Sequence, residues 1–167
     1  MFVFVFSKSK NKMTMILLLY RIIAYCYCGG FPVIKKRLTV NVGRLKRLLN
    51  KYLPDLIIYE PSSEYDLTNL VYALLKLKGY NVSDEPEPVI YLGKSFKPDL
   101  VVEDQVAVEI KIAKTKTSAV NAIKQAEAYR KGGYPASIAI IYTLTNYEVE
   151  KSEVKRLEKK NIHVVLV

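Results

Sequence analysis

The stretch "KPDLVVEDQVAVEIKIAK", residues 97–114, decides how the rest of the chain is read. Two apolar runs, Leu100–Val102 and Val106–Ile112, flank a polar break at Glu103, Asp104 and Gln105, which is the pattern of a β-hairpin. Side chains alternate across a strand, so Val106, Val108, Ile110 and Ile112 share one face, and Ala107, Glu109 and Lys111 share the other. Two charged groups on one face of an otherwise apolar strand are costly to bury unless they are solvated, paired or holding an ion. Pairing across the break brings Asp99 toward Glu109. Two carboxylates that close raise each other's pKa unless a cation holds them.

Outward from the hairpin, periodicity and punctuation predict an α/β chain. Ser62 or Ser63 caps a helix that carries Leu67, Leu70, Val71, Leu74, Leu75 and Leu77 on its apolar stripe and stops at Gly79. "VIYL" reads as a short strand and is followed by the two strands of the hairpin. A helix is predicted from about Ser118 to Lys131, ended by Gly132-Gly133. "ASIAIIYTL" reads as a buried strand, "NYEVEKSEVKRLEKK" as an exposed helix and "IHVVLV" as a last strand. The predicted order is α-β-β-β-α-β-α-β, a central mixed sheet flanked by helices. A chain of 167 residues with half of them apolar and a quarter charged suits one globular domain with an appendage. Abundant lysine, isoleucine and tyrosine is a composition common in thermophiles.

Charge divides the chain. The net charge is +10, and residues 1–60 hold 11 Lys/Arg against two acids, whereas residues 61–167 hold 15 against 14. We therefore expect a basic extension over residues 1–55 and the main domain over 56–167. Within the extension, Val42, Leu45, Leu48, Leu49, Tyr52 and Leu53 recur at helical spacing. Lys35, Lys36, Arg37, Arg44, Lys46, Arg47 and Lys51 are candidate phosphate contacts, either as an arm on nucleic acid or as a solvated helix face. The run Met15–Cys28, apolar except for Arg21, is shorter than the ~20 residues a bilayer crossing needs and reads as a packed helix, an overextended start with initiation at Met13, Met15 or beyond, or an interfacial membrane anchor. Cys26 and Cys28 stand too close for an ordinary structural bridge, and with one histidine the ligands for a zinc site are lacking. An intracellular, cytoplasmic protein is expected.

Pro98-Asp99, nine residues and then Glu109-Ile110-Lys111 resemble the motif of the PD-(D/E)xK nuclease superfamily. Gln125 and Tyr129 in "QAEAY" match the Gln-x-x-x-Tyr helix motif of its RecB-like members, and Glu64 stands where many members carry an additional acid. "YRKGGYPASIAIIY" resembles the helix-to-strand junction of archaeal Holliday junction resolvases. The resemblance spans roughly residues 60–145. It implies a restriction-endonuclease-like core and a Mg²⁺- or Mn²⁺-dependent deoxyribonuclease acting on junctions, flaps or ends. It further implies Asp99, Glu109 and the Ile110 carbonyl as metal ligands, and Lys111 as the group that orients water and stabilises charge. Glu64 and Gln125 would assist, and Tyr129 would pack or contact phosphate. DNA is the expected partner, with a homodimer if the substrate is a four-way junction. The alternatives are a nuclease-like fold that binds DNA without cutting it, and a membrane-peripheral protein anchored by its N-terminus.

Overall fold

The sheet is built outward from β5 (Val106–Ala113), the middle one of its five strands. The structure is a computed structural model and describes residues 38–57, 60–144 and 147–167. The apolar N-terminal run and Lys35, Lys36 and Arg37 lie outside the described residues.

Before the sheet come α1 (Val42–Leu56) and α2 (Glu64–Leu77), capped by the side chains of Asn41 and Ser63, which accept from the amides of Arg44 and Asp66. Then follow β1 (Val82–Ser83), β2 (Val89–Tyr91), β3 (Lys94–Phe96), β4 (Leu100–Val102) and β5. The chain closes with α3 (Lys116–Lys131), β6 (Ala136–Thr143), α4 (Lys151–Glu158) and β7 (Ile162–Leu166). The five-stranded sheet has the order β1-β4-β5-β6-β7. Its β1–β4 and β4–β5 pairs are antiparallel, and its β5–β6 and β6–β7 pairs are parallel. A parallel pair needs a crossover, which α3 and then α4 provide.

The sheet is covered on both faces, as the long apolar runs of β5 and β6 require. Val106, Val108 and Ile110 join Ile138, Ile140 and Val165 in one core with the buried residues of α1 and α2. The opposite parity, Ala139, Ile141 and Val164, packs on Ala119, Ala122 and Ala126 of α3 and Leu157 of α4. The small alanine face lets α3 lie close to the strands.

The expected mixed sheet flanked by helices is what the chain forms, but several expectations need correction. "VIYL" does not join the main sheet: β2 pairs with β3 in a separate hairpin, Val89 opposite Phe96 and Tyr91 opposite Lys94. Its place at the sheet edge is taken by the two-residue β1, too short to stand out in sequence. The predicted last helix is only Lys151–Glu158, because Tyr147 and Val149, two residues apart, pack against the second core ahead of it. Most consequentially, α1 is no appendage. Leu45, Leu49 and Leu53 are fully buried in the core, and Lys35–Val167 forms one compact unit. The boundary expected at residue 55 cuts through that unit.

The break at Glu103–Gln105 is a turn whose polar groups are used. The Glu103 carboxylate accepts from the Asn81 amide at 2.9 Å. Gln105 accepts from the Thr39 amide and donates to its hydroxyl, both at 2.7 Å, which ties the segment before α1 to the hairpin. A second close fit lies where α3 ends. A Cβ on Gly132 would stand 2.8 Å from Val89 Cβ and 3.1 Å from the Ala128 carbonyl oxygen. Neither a β-branched side chain nor a helix carbonyl moves cheaply, so Gly132→Ala is expected to pry the β2–β3 hairpin off α3. A cost of about 1–3 kcal/mol, the usual range for overpacking, should appear as a lower denaturant midpoint.

Candidate functional site

Asp99 sits just before β4, and its amide donates to the Val108 carbonyl at 3.0 Å, which locks the residue against β5. Because β4 begins only at Leu100 opposite Val108, the edge of β5 beyond that point has no strand to pair with. Side chains fill the gap. The Ile110 amide donates to Asp99 Oδ2 at 2.6 Å, and the Ile112 amide donates to Glu64 Oε1 at 3.4 Å. The Ile110 carbonyl points to the same side as its own amide, as strand geometry requires, and so toward Asp99.

Glu109 points the other way from Ile110, beneath α3, and is 5% exposed. Tyr129, fully buried, reaches it: its hydroxyl donates to Glu109 Oε2 and lies 2.9 Å from the Lys97 carbonyl oxygen. Lys111, two residues on from Glu109, is half-exposed and pairs with Glu64 Oε1 at 2.7 Å. The first residue of α2 is thereby joined to β5 by both an amide and an ion pair.

Electrostatics couple these groups. Burial pushes the Glu109 carboxyl up to about 7, with the charges of Asp99 and Glu64 adding to the rise and the Tyr129 hydrogen bond and Lys111 opposing it. Asp99 is raised as well, first by burial and then by Glu64, against the Ile110 amide and Lys111. Burial and the adjacent Glu109 hold the Tyr129 phenol protonated. Two carboxylates that resist ionisation together, in a partly open site, are the condition that an added cation relieves.

Of the residues singled out from the sequence, Asp99, Glu109, Lys111 and Glu64 are brought together. Lys111 takes Glu64 as its partner, and Gln125 instead lines a groove on α3, one turn ahead of Tyr129. Of the two readings of Tyr129, packing or a phosphate contact, its burial agrees with packing: it has no exposed surface to offer a phosphate, and its hydroxyl donates to Glu109. On α1, Arg44, Arg47 and Lys51 are exposed, but Lys46 is committed to Glu158 at 2.9 Å and joins α1 to α4. The Lys97 carbonyl was invisible in the sequence, since nothing in a side-chain pattern marks a backbone acceptor.

Among the described residues, no group of three His, Cys, Asp or Glu side chains is placed to hold a metal ion. The local donor set is two carboxylates and a carbonyl, all oxygen. That chemistry suits a hard divalent cation that keeps several waters, rather than zinc. Also among the described residues, no helix is long and apolar enough to cross a membrane. No protein-family model, curated protein or solved structure matches this chain.

Proposed function

We propose that the protein is a metal-dependent nuclease that hydrolyses DNA phosphodiester bonds at the Asp99/Glu109/Lys111 cluster, on a restriction-endonuclease-like core. The observation that carries this reading is the arrangement of Asp99 on the Ile110 amide, buried Glu109 on Tyr129 and Lys111 on Glu64 along the unpaired edge of β5, where burial raises both the Asp99 and the Glu109 carboxyl. Asp99, Glu109 and the Ile110 carbonyl are the residues that would hold Mg²⁺ or Mn²⁺. The ion would supply Lewis acidity toward the phosphate and lower the pKa of a bound water.

The chain's own groups prepare the rest. The Ile110 amide fixes the Asp99 carboxylate, and Tyr129 fixes that of Glu109, so neither must be reoriented when charge develops. Glu64 restrains the Lys111 side chain, which stands on the same strand face as Glu109 and is suited to orient water or to meet charge gathering on the phosphate. Exposed Arg44, Arg47 and Lys51 supply positive charge for a DNA backbone.

A DNA-binding protein without cleavage is the second reading. It is favoured by the fact that Asp99, Glu109 and Glu64 each already have a protein partner. A cleavage panel over four-way, flapped, single-stranded and blunt duplex DNA, with Mg²⁺ and with EDTA, separates the two. Asp99→Ala and Lys111→Ala are expected to lower Mg²⁺-dependent cleavage by about 10²-fold or more while the protein still folds. Full activity in purified Asp99→Ala protein would sink the nuclease assignment.

A further inference from the structure

A groove of 710 Å³ runs between the β2–β3 hairpin and α3. One wall carries Tyr91, Leu92 and Phe96, and lysines 94, 124 and 131 stand around it. Its single acid, Glu127, is already paired with Lys131 at 3.2 Å and with Lys160 at 3.7 Å. Lys131 stands over the Tyr91 ring, 5.3 Å from its centre, which leaves Phe96, Lys94 and Lys124 as the groove's unengaged aromatic and cations among the described residues. Aromatic faces for bases with cations for phosphates make a binding surface for a nucleic-acid strand whose bases are unpaired.

The hairpin tip adds an independent observation. Leu92 and Gly93 form its two-residue turn, both with positive φ, 49° and 72°. Such a primed turn favours asparagine or glycine at the first position, and a leucine there is strained. This leucine is moreover 81% exposed, and Ile90 on the same hairpin is 65% exposed. A strained, solvent-facing leucine at the tip serves neither the turn nor the core. Apolar side chains in that setting act as wedges that part stacked bases. The lining of the groove includes none of the site carboxylates; its link to them is through α3, where Gln125 in the groove wall is one helical turn from Tyr129, which holds Glu109.

Resting on the nuclease reading, the geometry points to a substrate class: DNA with an unpaired strand beside a duplex, its bases received between the hairpin and α3 and Leu92 set at the fork. Glycine at position 132, which admits Val89 against α3, keeps that groove closed along one side.

The test is fluorescence anisotropy of the full chain in EDTA with a labelled single strand, a fork with unpaired arms and a blunt duplex of equal length. The single strand and the fork should bind more tightly than the duplex. Tyr91→Ala with Phe96→Ala should weaken single-strand binding by about tenfold or more, the loss expected when a stacking platform is removed. Leu92→Asn suits the turn, and should weaken fork binding more than it weakens single-strand binding, reducing the preference for the fork. If the aromatic variant melts early, Lys124→Glu on the exposed side of α3 reads the same groove and should weaken single-strand binding. Equal or tighter binding of blunt duplex, or unchanged single-strand affinity in a folded aromatic variant and in Lys124→Glu, overturns the groove. Because EDTA suppresses the chemistry, single-strand preference without Mg²⁺-dependent cleavage upholds the groove and defeats only the nuclease reading. Cleavage with a preference for blunt duplex does the reverse.

Discussion

On the nuclease proposal, Glu109→Gln should abolish cleavage and, at neutral and alkaline pH without divalent cations, make the protein more stable. The two effects share one cause. Glutamine has the same shape, and its carbonyl can still accept from Tyr129, but it carries no charge to bury. In the native protein, burial raises the Glu109 carboxyl from its ordinary 4.5 to about 7. The folded state then binds more protons than the unfolded state between those values, so this group's contribution to stability falls as pH rises through the window. It is fully present below about 4.5 and is lost above about 7. A rise of that size corresponds to on the order of 3 kcal/mol.

The melting temperature of native protein minus that of Glu109→Gln, followed in EDTA from acid to alkaline pH, isolates the effect. The difference should swing against the native protein as pH rises. A flat difference would mean that Glu109 is solvated and that the coupling of the carboxylates is not what defines the site. Adding Mg²⁺ should stabilise the native protein and leave the glutamine variant unmoved, because binding to the folded state alone raises stability.

Deleting residues 1–55 should unfold the protein rather than merely remove a basic arm. The deletion removes Val42, Leu45, Leu49 and Leu53, all buried in the core shared with β5, β6 and β7. Each side chain of that size stabilises by about 1.5–3 kcal/mol when buried. The sum approaches the total of about 5–15 kcal/mol typical of a whole domain. It also removes the ion pair of Lys46 with Glu158 and the bonds from Thr39 to Gln105. A chain beginning at Lys35, by contrast, retains every described residue. Circular dichroism melts of the two deletions should separate them, with a cooperative transition only for the longer. A cooperative native-like melt from residues 56–167 alone would refute the role of α1 in the core.

That difference between arm and core marks how far the sequence could be read. The amphipathic spacing of α1 was plain, and so was its excess of charge. But an apolar stripe says only that a helix buries one face, not against what. The contact is made with strands more than fifty residues away, which no local pattern encodes. The same limit applies to the β2–β3 hairpin: "VIYL" has the composition of a strand, and nothing local says that it pairs with Lys94–Phe96 while β1 takes the sheet edge.

By itself, the sequence determined the helix and strand types of the central elements, the turn at Glu103–Gln105 and the parity that separates Glu109 and Lys111 from Ile110. Those follow from periods of 3.6 and 2, which are properties of the local backbone. The tertiary structure decided what each polar group meets: Tyr129 on Glu109, Glu64 on Lys111, the Ile110 amide on Asp99. Such pairings depend on where β4 stops, how closely the alanine face of α3 approaches the sheet and which helix end lies over the unpaired edge. Burial, and with it the raised carboxylates, is a consequence of that packing, because the cost of a charge is set by what surrounds it and not by its neighbours in the chain.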